Sequence, residues 1–227
     1  MISYDILIPA YNAEKTILPV VNQIKKLKFH PNKIIIVDDG STDQTTNLIK
    51  DKVDSVITHE RNKGKGFALQ TGFDEFLKSG CSDYLLCMDA DLQHPVSYIP
   101  NFITYAEDTK SEFIIGKRSR QFGVMPFPRI ISNSTTSLIL SIICNQKIED
   151  SQCGYRLIHR DALKKLSLQE NGFQLESEMI IKAAKQHIRI DFIDVPTIYN
   201  GHNSNINHLG DTIRFISLIL SELTGRS

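Results

Sequence analysis

The sequence has no excess of either charge, since 26 Lys and Arg residues balance 26 Asp and Glu residues. A dedicated nucleic-acid-binding domain carries a positive balance, so nucleic acid is not a predicted partner. The four cysteines include no Cys-x-x-Cys pair, and Cys87 lies within an apolar run. This cysteine usage is typical of a reduced, cytoplasmic chain.

Long apolar runs are also lacking. No stretch approaches the roughly 20 apolar residues that a membrane-spanning helix needs, and the N-terminus lacks the basic and apolar regions of a signal peptide. Residues 130–145 carry no charge, but the polar run 132–137 interrupts them. We expect this segment either to lie at a membrane surface or to pack inside the domain. The predicted location is cytoplasmic, with peripheral contact at the inner face of the membrane left open.

Neither a repeat nor a linker divides the 227 residues, so the length predicts one domain with a sizeable core. In the first half, short apolar strands alternate with amphipathic helices. The predicted strands are Asp5–Ile8, Lys33–Val37, Ser55–Thr58, Tyr84–Met88 and Glu112–Gly116. The predicted helices cover Ala13–Leu27 and Gly66–Lys78 and begin near Ser41 and Pro95. This alternation predicts an α/β fold with a mostly parallel sheet and helices on both faces.

The second half of the chain is less regular than the first. Its predicted elements are helices at Arg129–Cys144, Ser177–Gln186 and Gly210–Leu223 and a strand at Arg189–Val195. The terminal helix is apolar on more than one stripe, which suits packing in the core, an oligomer contact or a membrane surface.

Polar side chains follow three of the predicted strands. These side chains are Tyr11 and Asn12 after the first strand, Asp38 and Asp39 after the second, and Asp89 and Asp91 after the fourth. Open parallel sheets bind ligands at the carboxyl ends of their strands. The sequence therefore predicts a polar ligand site at one edge of the sheet.

Two carboxylates directly after a buried strand repel each other and are costly to desolvate. A hard cation bridging Asp89 and Asp91 to a diphosphate would offset that cost, because Mg²⁺ and Mn²⁺ prefer oxygen ligands. Gln93 supplies another possible oxygen ligand. The competing interpretation is a solvated turn with a helix cap.

The other strand ends suggest nucleotide contacts. The Asp39 carboxylate can accept the imide N–H of a uracil or the N–H groups of a guanine, and the Tyr11 ring can stack on a base. The alternative for Asp39 is a turn residue, and the alternative for Tyr11 is a half-buried side chain. Asn12 could instead cap the next helix. The loop 62–66 holds Lys65 and two glycines at a predicted helix N-terminus, which favours anions. A plain flexible turn is the alternative there.

Taken in order, several motifs resemble those of family 2 glycosyltransferases, which have the GT-A fold and invert the anomeric centre. The motifs are Ile8-Pro9-Ala10-Tyr11-Asn12, Val37-Asp38-Asp39-Gly40-Ser41-Thr42-Asp43, Asn62-Lys63-Gly64-Lys65-Gly66, Asp89-Ala90-Asp91-Leu92-Gln93-His94-Pro95 and Gly116-Lys117-Arg118. Residues 150–156 and 172–178 are similar to the branch typified by dolichyl-phosphate mannosyl- and glucosyltransferases. The resemblance covers nearly the whole chain.

The resemblance implies a role for individual residues. The implied nucleotide contacts are Pro9, Tyr11, Asn12, Asp39, Lys65, Asp89 and Ala90. The implied ligands of Mg²⁺ or Mn²⁺ are Asp91, Gln93 and Asp89, and Arg118 is expected near the diphosphate or the acceptor phosphate. Residues 1–118 would form the nucleotide half and residues 119–227 the acceptor half of a single domain.

The predicted function is transfer of a hexose from a UDP- or GDP-sugar to a polyprenyl phosphate. One alternative is transfer to a hydroxyl of a polysaccharide, glycolipid or protein. A second alternative is a protein that binds a nucleotide sugar without turnover.

A hydroxyl acceptor must lose a proton to a base, whereas a lipid phosphate is already anionic. The predicted base candidates are Glu178 and Asp150, with Glu176 as a less favoured choice. The competing interpretations are a favourable first-turn charge for Glu178 and a turn residue for Asp150. Cationic residues flank the loop 117–129, which suits a lid over a phosphate or, alternatively, a solvated basic loop.

Overall fold

A single sheet forms the centre of the protein. The computed structural model describes residues 2–119, 125–172, 174–198 and 214–221. The strands within these ranges are β1 (Tyr4–Ala10), β2 (Ile34–Asp38), β3 (Ser55–Thr58), β4 (Tyr84–Cys87), β5 (Phe113–Arg118), β6 (Arg156–His159) and β7 (Ile190–Val195). They are ordered β3-β2-β1-β4-β6-β5-β7.

Helices surround this sheet. They are α1 (Ile17–Ile24), α2 (Thr45–Ile49), α3 (Lys65–Ser79), α4 (Ile99–Thr109), α5 (Phe127–Ile143), α6 (Arg160–Lys165) and α7 (Leu175–Lys185). A single 3-10 turn, Val96–Tyr98, leads into α4. Residues 214–221 are also helical, so the predicted helix Gly210–Leu223 is described only in part.

The sheet is mostly parallel, as predicted. β1 pairs in parallel with β2 and β4, and β3 extends this block on the far side of β2. β6 is the exception, because it lies between β4 and β5 and is antiparallel to both. The strand β6 comes from the second half of the chain, so the two predicted halves share one sheet.

The central strands are buried on both faces. Ile6, Leu7 and Ile8 on β1 and the corresponding apolar residues of β2 and β4 have almost no exposed area. Strands covered on both faces read as continuous apolar runs, which explains why these three were evident in the sequence. The core therefore holds rigidly the strand ends that carry the polar residues.

Several predicted element boundaries differ from those of the structure. The first strand was predicted to end at Ile8, before Pro9, but it continues to Ala10. Its pairing with β4 ends at Leu7, whereas Pro9 still pairs with Val37 on β2. The predicted capping box at Ser41 does not form. Its hydroxyl accepts the Asn12 N–H at 2.8 Å, and the Asp43 carboxylate accepts the Thr45 N–H at 2.9 Å where α2 begins.

The uncharged segment of the sequence forms most of α5. The helix begins at Phe127, two residues before the predicted start, with a proline in its first turn. In the part of the chain that the structure describes, no helix is long and apolar enough to cross a membrane.

Candidate active site

The ends of β1, β2 and β4 meet at one edge of the sheet and bring the predicted residues together. The turn after β4 is tight, with Leu92 at a positive φ of 65°. Within it the Gln93 N–H donates to Asp91 Oδ1 at 3.0 Å, and the Asp89 N–H donates to His94 Nδ1 at 2.9 Å. These bonds fix both carboxylates at the edge of the sheet.

A chain of opposite charges crosses this edge. The Lys65 ammonium lies 2.7 Å from Asp89 Oδ1 and 2.9 Å from Glu176 Oε1. Burial alone raises the pKa of Asp89, but the Lys65 charge outweighs it and holds that pKa at about 2. Burial likewise lowers the pKa of Lys65, while its two carboxylate neighbours raise it above its usual range. Asp89 and Lys65 are therefore both charged at neutral pH.

Gly154 packs directly on this ion pair. A Cβ atom at that position would lie 2.9 Å from Lys65 Nζ and 3.1 Å from both Asp89 oxygens. A side chain at this position would displace Lys65 or Asp89, so only glycine fits beside the ion pair as it stands. No role was predicted for Gly154 from the sequence, although it stands within the acceptor-half motif 150–156.

Asp91 fits a divalent cation. Burial and the charge of Asp89 together raise the pKa of Asp91 above its ordinary value. A cation between the two carboxylates would relieve both effects. Gln93 is half-buried beside them, and its backbone rather than its side chain contacts Asp91.

The turn provides too few ligands to hold a metal alone. Over the described ranges, no three His, Cys, Asp or Glu residues are grouped as a metal site. A cation held by Asp89 and Asp91 would therefore take its remaining oxygen ligands from a diphosphate or water, as Mg²⁺ commonly does.

His94 is a site residue that the sequence analysis missed. It is buried, and its ring stacks on Tyr155 with the centroids 4.9 Å apart. Burial lowers the pKa of His94, so the ring is neutral at pH 7. Because Nδ1 accepts the Asp89 N–H, the proton is on Nε2, which lies 3.9 Å from Asp89 Oδ2. The sequence feature that could have indicated His94 is its position shortly after the Asp-x-Asp turn.

Asp39 holds the loop that leads to Lys65. Its Oδ1 accepts the Lys63 N–H at 2.9 Å and contacts His59 Nδ1 at 2.7 Å, and its Oδ2 accepts the Gly64 N–H at 2.8 Å. The carboxylate is nearly inaccessible in this arrangement. The nucleotide contact of Asp39 stays a prediction, and it would use the remaining lone pair on Oδ2.

The residues after β1 lie at the mouth of the site. Asn12 has a positive φ of 49°, and its side-chain oxygen accepts the Thr42 N–H at 2.9 Å. It thus ties the loop after β1 to the loop after β2, and the alternative of a helix cap is wrong because α1 begins only at Ile17. Tyr11 is exposed, Ala90 is buried, and Pro9 lines a small cavity with Lys65.

Arg118 is clamped by Asp150. Its Nε and one terminal nitrogen donate to the two Asp150 oxygens at 2.8 and 3.0 Å, and Asn133 adds a further bond at 2.9 Å. Burial raises the pKa of Asp150, but the bonds and charge of Arg118 more than offset it and lower that pKa. The prediction of Asp150 as a base is therefore not supported, since the carboxylate is buried, engaged and weakly basic.

Glu178 also fails as a base. Its carboxylate is buried and accepts the N–H groups of Gln169 and Glu170 at 2.8 and 2.9 Å, while Lys182 lies 2.8 Å away. It stabilises the chain before α7 and does not line the cavity. Glu176, the less favoured choice, is the one whose side chain reaches Lys65.

Arg156 fixes the start of α7. This fully buried guanidinium donates to the backbone oxygens of Ser151, Cys153 and Glu176 at 2.9, 2.8 and 2.7 Å. It thereby connects the segment before β6 to the residue that contacts Lys65. Arg156 belongs to the motif 150–156, but no contact was predicted for it from the sequence.

The structure predicts opposite effects for the two glutamates. Glu178→Gln should lower the free energy of unfolding by about 1–3 kcal/mol, because an amide nitrogen then faces backbone N–H groups. Turnover should stay within a few-fold of wild type. Glu176→Gln is the matched variant, and it should reduce turnover because it weakens the contact that positions the Lys65 ammonium, with a smaller loss of stability. Urea unfolding and initial rates measure both. Loss of turnover in Glu178→Gln at full stability would contradict this assignment.

The sequence profile described as Glycosyl transferase family 2 matches residues 5–167. The chain belongs to this family. A dolichyl-phosphate N-acetylglucosaminyltransferase of Methanococcus voltae, named for UDP-N-acetylglucosamine, is 33% identical in an alignment 221 positions long that covers 87% of this chain and 86% of that protein. Glycosyltransferase AglJ of Haloferax volcanii is 28% identical over 231 residues, covering 98% of this chain and 71% of that protein. The prediction of a glycosyltransferase is confirmed.

Solved structures show the same fold as this glycosyltransferase. Glucosyl-3-phosphoglycerate synthase from Mycobacterium tuberculosis in complex with UDP has a TM-score of 0.77 at 19% identity, over 97% of this chain and 80% of that chain. Its complex with Mn²⁺, UDP and glucosyl-3-phosphoglycerate has a TM-score of 0.72 at 20% identity, over the same shares. The predicted GT-A fold is confirmed, and that synthase binds Mn²⁺ together with UDP.

Proposed function

We propose that this glycosyltransferase moves a hexose-type sugar from a UDP- or GDP-sugar to a polyprenyl phosphate. The observation that carries the proposal is the state of the two predicted bases. Asp150 is paired with Arg118, and Glu178 accepts backbone N–H groups. An acceptor that is already anionic needs no proton removed, so it suits a site whose predicted bases are engaged.

On the donor side, the residues present suit a nucleoside diphosphate. Asp89 and Asp91 would hold Mg²⁺ or Mn²⁺, and a bound metal would neutralise charge that develops on the leaving diphosphate. Lys65 would exchange its contact with Asp89 for a phosphate oxygen, since the flexible ammonium already lies at the end of the carboxylate turn. Gly154 leaves room for this movement.

On the acceptor side, Arg118 would bind the attacking phosphate. Asp150 holds the guanidinium in place, and the positive charge of Arg118 would attract a phosphate. The Methanococcus voltae relative, named for a dolichyl-phosphate acceptor, supports the same class of acceptor here. A lipid-borne acceptor further implies peripheral contact of the protein with the inner face of the membrane.

A hydroxyl acceptor is the second candidate, and Glu176 is the observation that favours it. Its carboxylate lines the cavity 2.9 Å from Lys65. If Lys65 moved to the diphosphate, Glu176 would be released and could accept a proton from a hydroxyl. The two candidates therefore differ in whether turnover needs Glu176 as a base.

A paired acceptor assay tests the proposal. Purified protein is incubated with UDP- and GDP-sugars and Mn²⁺, with either a polyprenyl phosphate or the polyprenol of the same length. We expect nucleoside diphosphate release to rise at least ten-fold, roughly 1.4 kcal/mol in barrier, with the phosphate and not with the alcohol. The polyprenol is the control because only the phosphate differs. Turnover on the alcohol or on a sugar hydroxyl, without turnover on the phosphate, would overturn the proposal.

A further inference from the structure

The helix α5 has its polar side inward. Asn133 and Ser137 are buried against the body of the protein together with a single apolar residue, Leu140, whereas four large apolar side chains face outward. The exposed fractions of these side chains are 58% for Phe127, 51% for Ile131, 63% for Leu138 and 73% for Ile142. A surface helix of a soluble domain normally has the reverse arrangement, with its apolar stripe toward the core.

The inward side is held by a specific hydrogen-bond network. The Asn133 amide donates to Asp150 Oδ1 at 2.9 Å, and the Ser137 hydroxyl donates to Asn133 Oδ1 at 3.1 Å. Ser137 also accepts the Ser151 N–H at 3.1 Å. Rotating α5 to bury its apolar side would leave these buried polar groups without partners, at a cost of roughly 1–3 kcal/mol each. The outward orientation of the apolar residues is therefore fixed.

The four exposed residues form one narrow line, which we name the α5 stripe (Phe127, Ile131, Leu138 and Ile142). At about 100° per residue, their directions fall within about 60° of one another, and the line is about 22 Å long. The buried Asn133 and Ser137 lie on the opposite side of the same helical wheel. The α5 stripe thus runs along the helix as two apolar pairs, Phe127 with Ile131 and Leu138 with Ile142, and the polar residues Ser134 and Thr135 lie between the pairs.

We propose that the α5 stripe is the membrane-docking surface of this protein and lies within the headgroup region of a lipid bilayer. The inference deepens the proposed function and rests on it, since a lipid-borne acceptor must reach Arg118. The network from Asn133 through Asp150 to Arg118 ties the ridge to that guanidinium. Docking by the α5 stripe would therefore hold the phosphate-binding group at a fixed height above the lipid.

Charge and area both favour a lipid surface. The helix Phe127–Ile143 contains no acidic residue and one cation, Arg129, and Lys147 follows its end. Lys147 and Lys117 share Glu149, and Lys117 also lies 3.6 Å from the exposed Asp194, so the charges at this end balance. The helix itself has no acidic residue that would repel anionic headgroups. The four side chains together expose on the order of 400 Å², about half of the ~800 Å² that each partner buries in a standard protein interface. A shallow ridge of this kind suits interfacial insertion.

Vesicle flotation tests the proposal without an activity measurement. The full-length protein is floated with phosphatidylcholine vesicles, with and without phosphatidylglycerol. We expect binding that phosphatidylglycerol strengthens and that the double variant Leu138→Ser, Ile142→Ser weakens at least ten-fold. The matched control is Phe29→Ser, which removes an exposed apolar side chain away from the α5 stripe and should float like wild type.

Two further measurements identify any other occupant of the α5 stripe. The double variant should keep the thermal unfolding midpoint of wild type, and light scattering should give the same mass for both. A lowered midpoint would show that the chain itself covers the ridge, and a dimer that the variant breaks would show a second copy there. Either result, or equal flotation of the variant and wild type, overturns the proposal.

The transfer assay distinguishes failure of docking from failure of the proposed function. The double variant should act normally on a polyprenyl phosphate dispersed in detergent and should lose at least ten-fold activity on the same acceptor in vesicles. Flotation of wild type without transfer to any polyprenyl phosphate would leave the docking surface standing and would remove the proposed acceptor. Transfer to a polyprenyl phosphate without flotation would overturn the docking surface and leave the proposed acceptor standing.

Discussion

Asp91→Asn is expected to abolish sugar transfer, with turnover lowered at least about a thousand-fold. Burial and the neighbouring Asp89 charge raise the pKa of Asp91, so a divalent cation at this turn would relieve an unfavourable pair of carboxylates. An amide keeps the size of the side chain but contributes no charge to the metal. The stimulation of nucleotide binding by Mn²⁺ or Mg²⁺ should disappear together with turnover.

The measurement pairs enzyme rates with calorimetric titration of UDP and GDP, each with Mn²⁺ and with EDTA. Asp108→Asn is the matched control, because it makes the same chemical change at an exposed position on α4. That variant should bind and turn over like wild type. Full activity of Asp91→Asn, or of wild type in EDTA, would remove the metal from the proposed mechanism.

The sequence predicted the parts of the fold that rest on local patterns. β1, β2 and β4 are continuous apolar runs because both of their faces are covered, and polar residues follow each of them. β6 was not predicted as a separate strand. Its four residues begin with Arg156 and end with His159, and its antiparallel place between β4 and β5 depends on partners far away in the chain.

The choice of base candidate shows a second limit of the sequence. Glu176 and Glu178 are two positions apart on α7, so their side chains point about 200° apart around the helix. Which of them faces Lys65 depends on how α7 is rotated, and Arg156 fixes that rotation through the Glu176 carbonyl. Without this tertiary contact the sequence could not show which glutamate faces Lys65, and Glu176 was the less favoured choice.

Asp39 shows the same limit at the nucleotide side. Its place after β2 predicted a ligand contact, and nothing in the spacing indicated the loop N–H groups that it accepts. The structure shows that this carboxylate positions the loop carrying Lys65. Asp39 can therefore link the proposed site for the nucleobase to the proposed site for the diphosphate. A variant at Asp39 would disturb both sites.

Lys65→Met should lower turnover about 10²–10³-fold, as expected for loss of a cation that stabilises the leaving diphosphate. Methionine keeps the length of the side chain and removes its charge. Lys63→Met is the matched control in the same loop, since the Lys63 ammonium lies over the Phe67 ring, 4.5 Å from its centroid, and does not reach the carboxylates. Binding of UDP should weaken in Lys65→Met and remain unchanged in Lys63→Met. Equal losses in both variants would indicate a general basic loop.

The same variant gives a pH signature that is independent of turnover. With Lys65 present, the pKa of Asp89 is held at about 2, below its ordinary value of 3.8. The ion pair therefore stabilises the fold above pH 4, and this contribution to the free energy of unfolding is lost as the pH falls toward 2. In Lys65→Met, Asp89 is left partly buried beside Glu176 without its cation, and its pKa should rise. The stability difference between wild type and variant should therefore be largest near pH 7 and shrink on acidification. Urea unfolding across this range measures it, and a difference that is constant with pH would show that the Lys65–Asp89 contact does not contribute to stability. If Lys65 also binds the diphosphate, as proposed, movement of this one ammonium would couple donor binding to the release of Glu176.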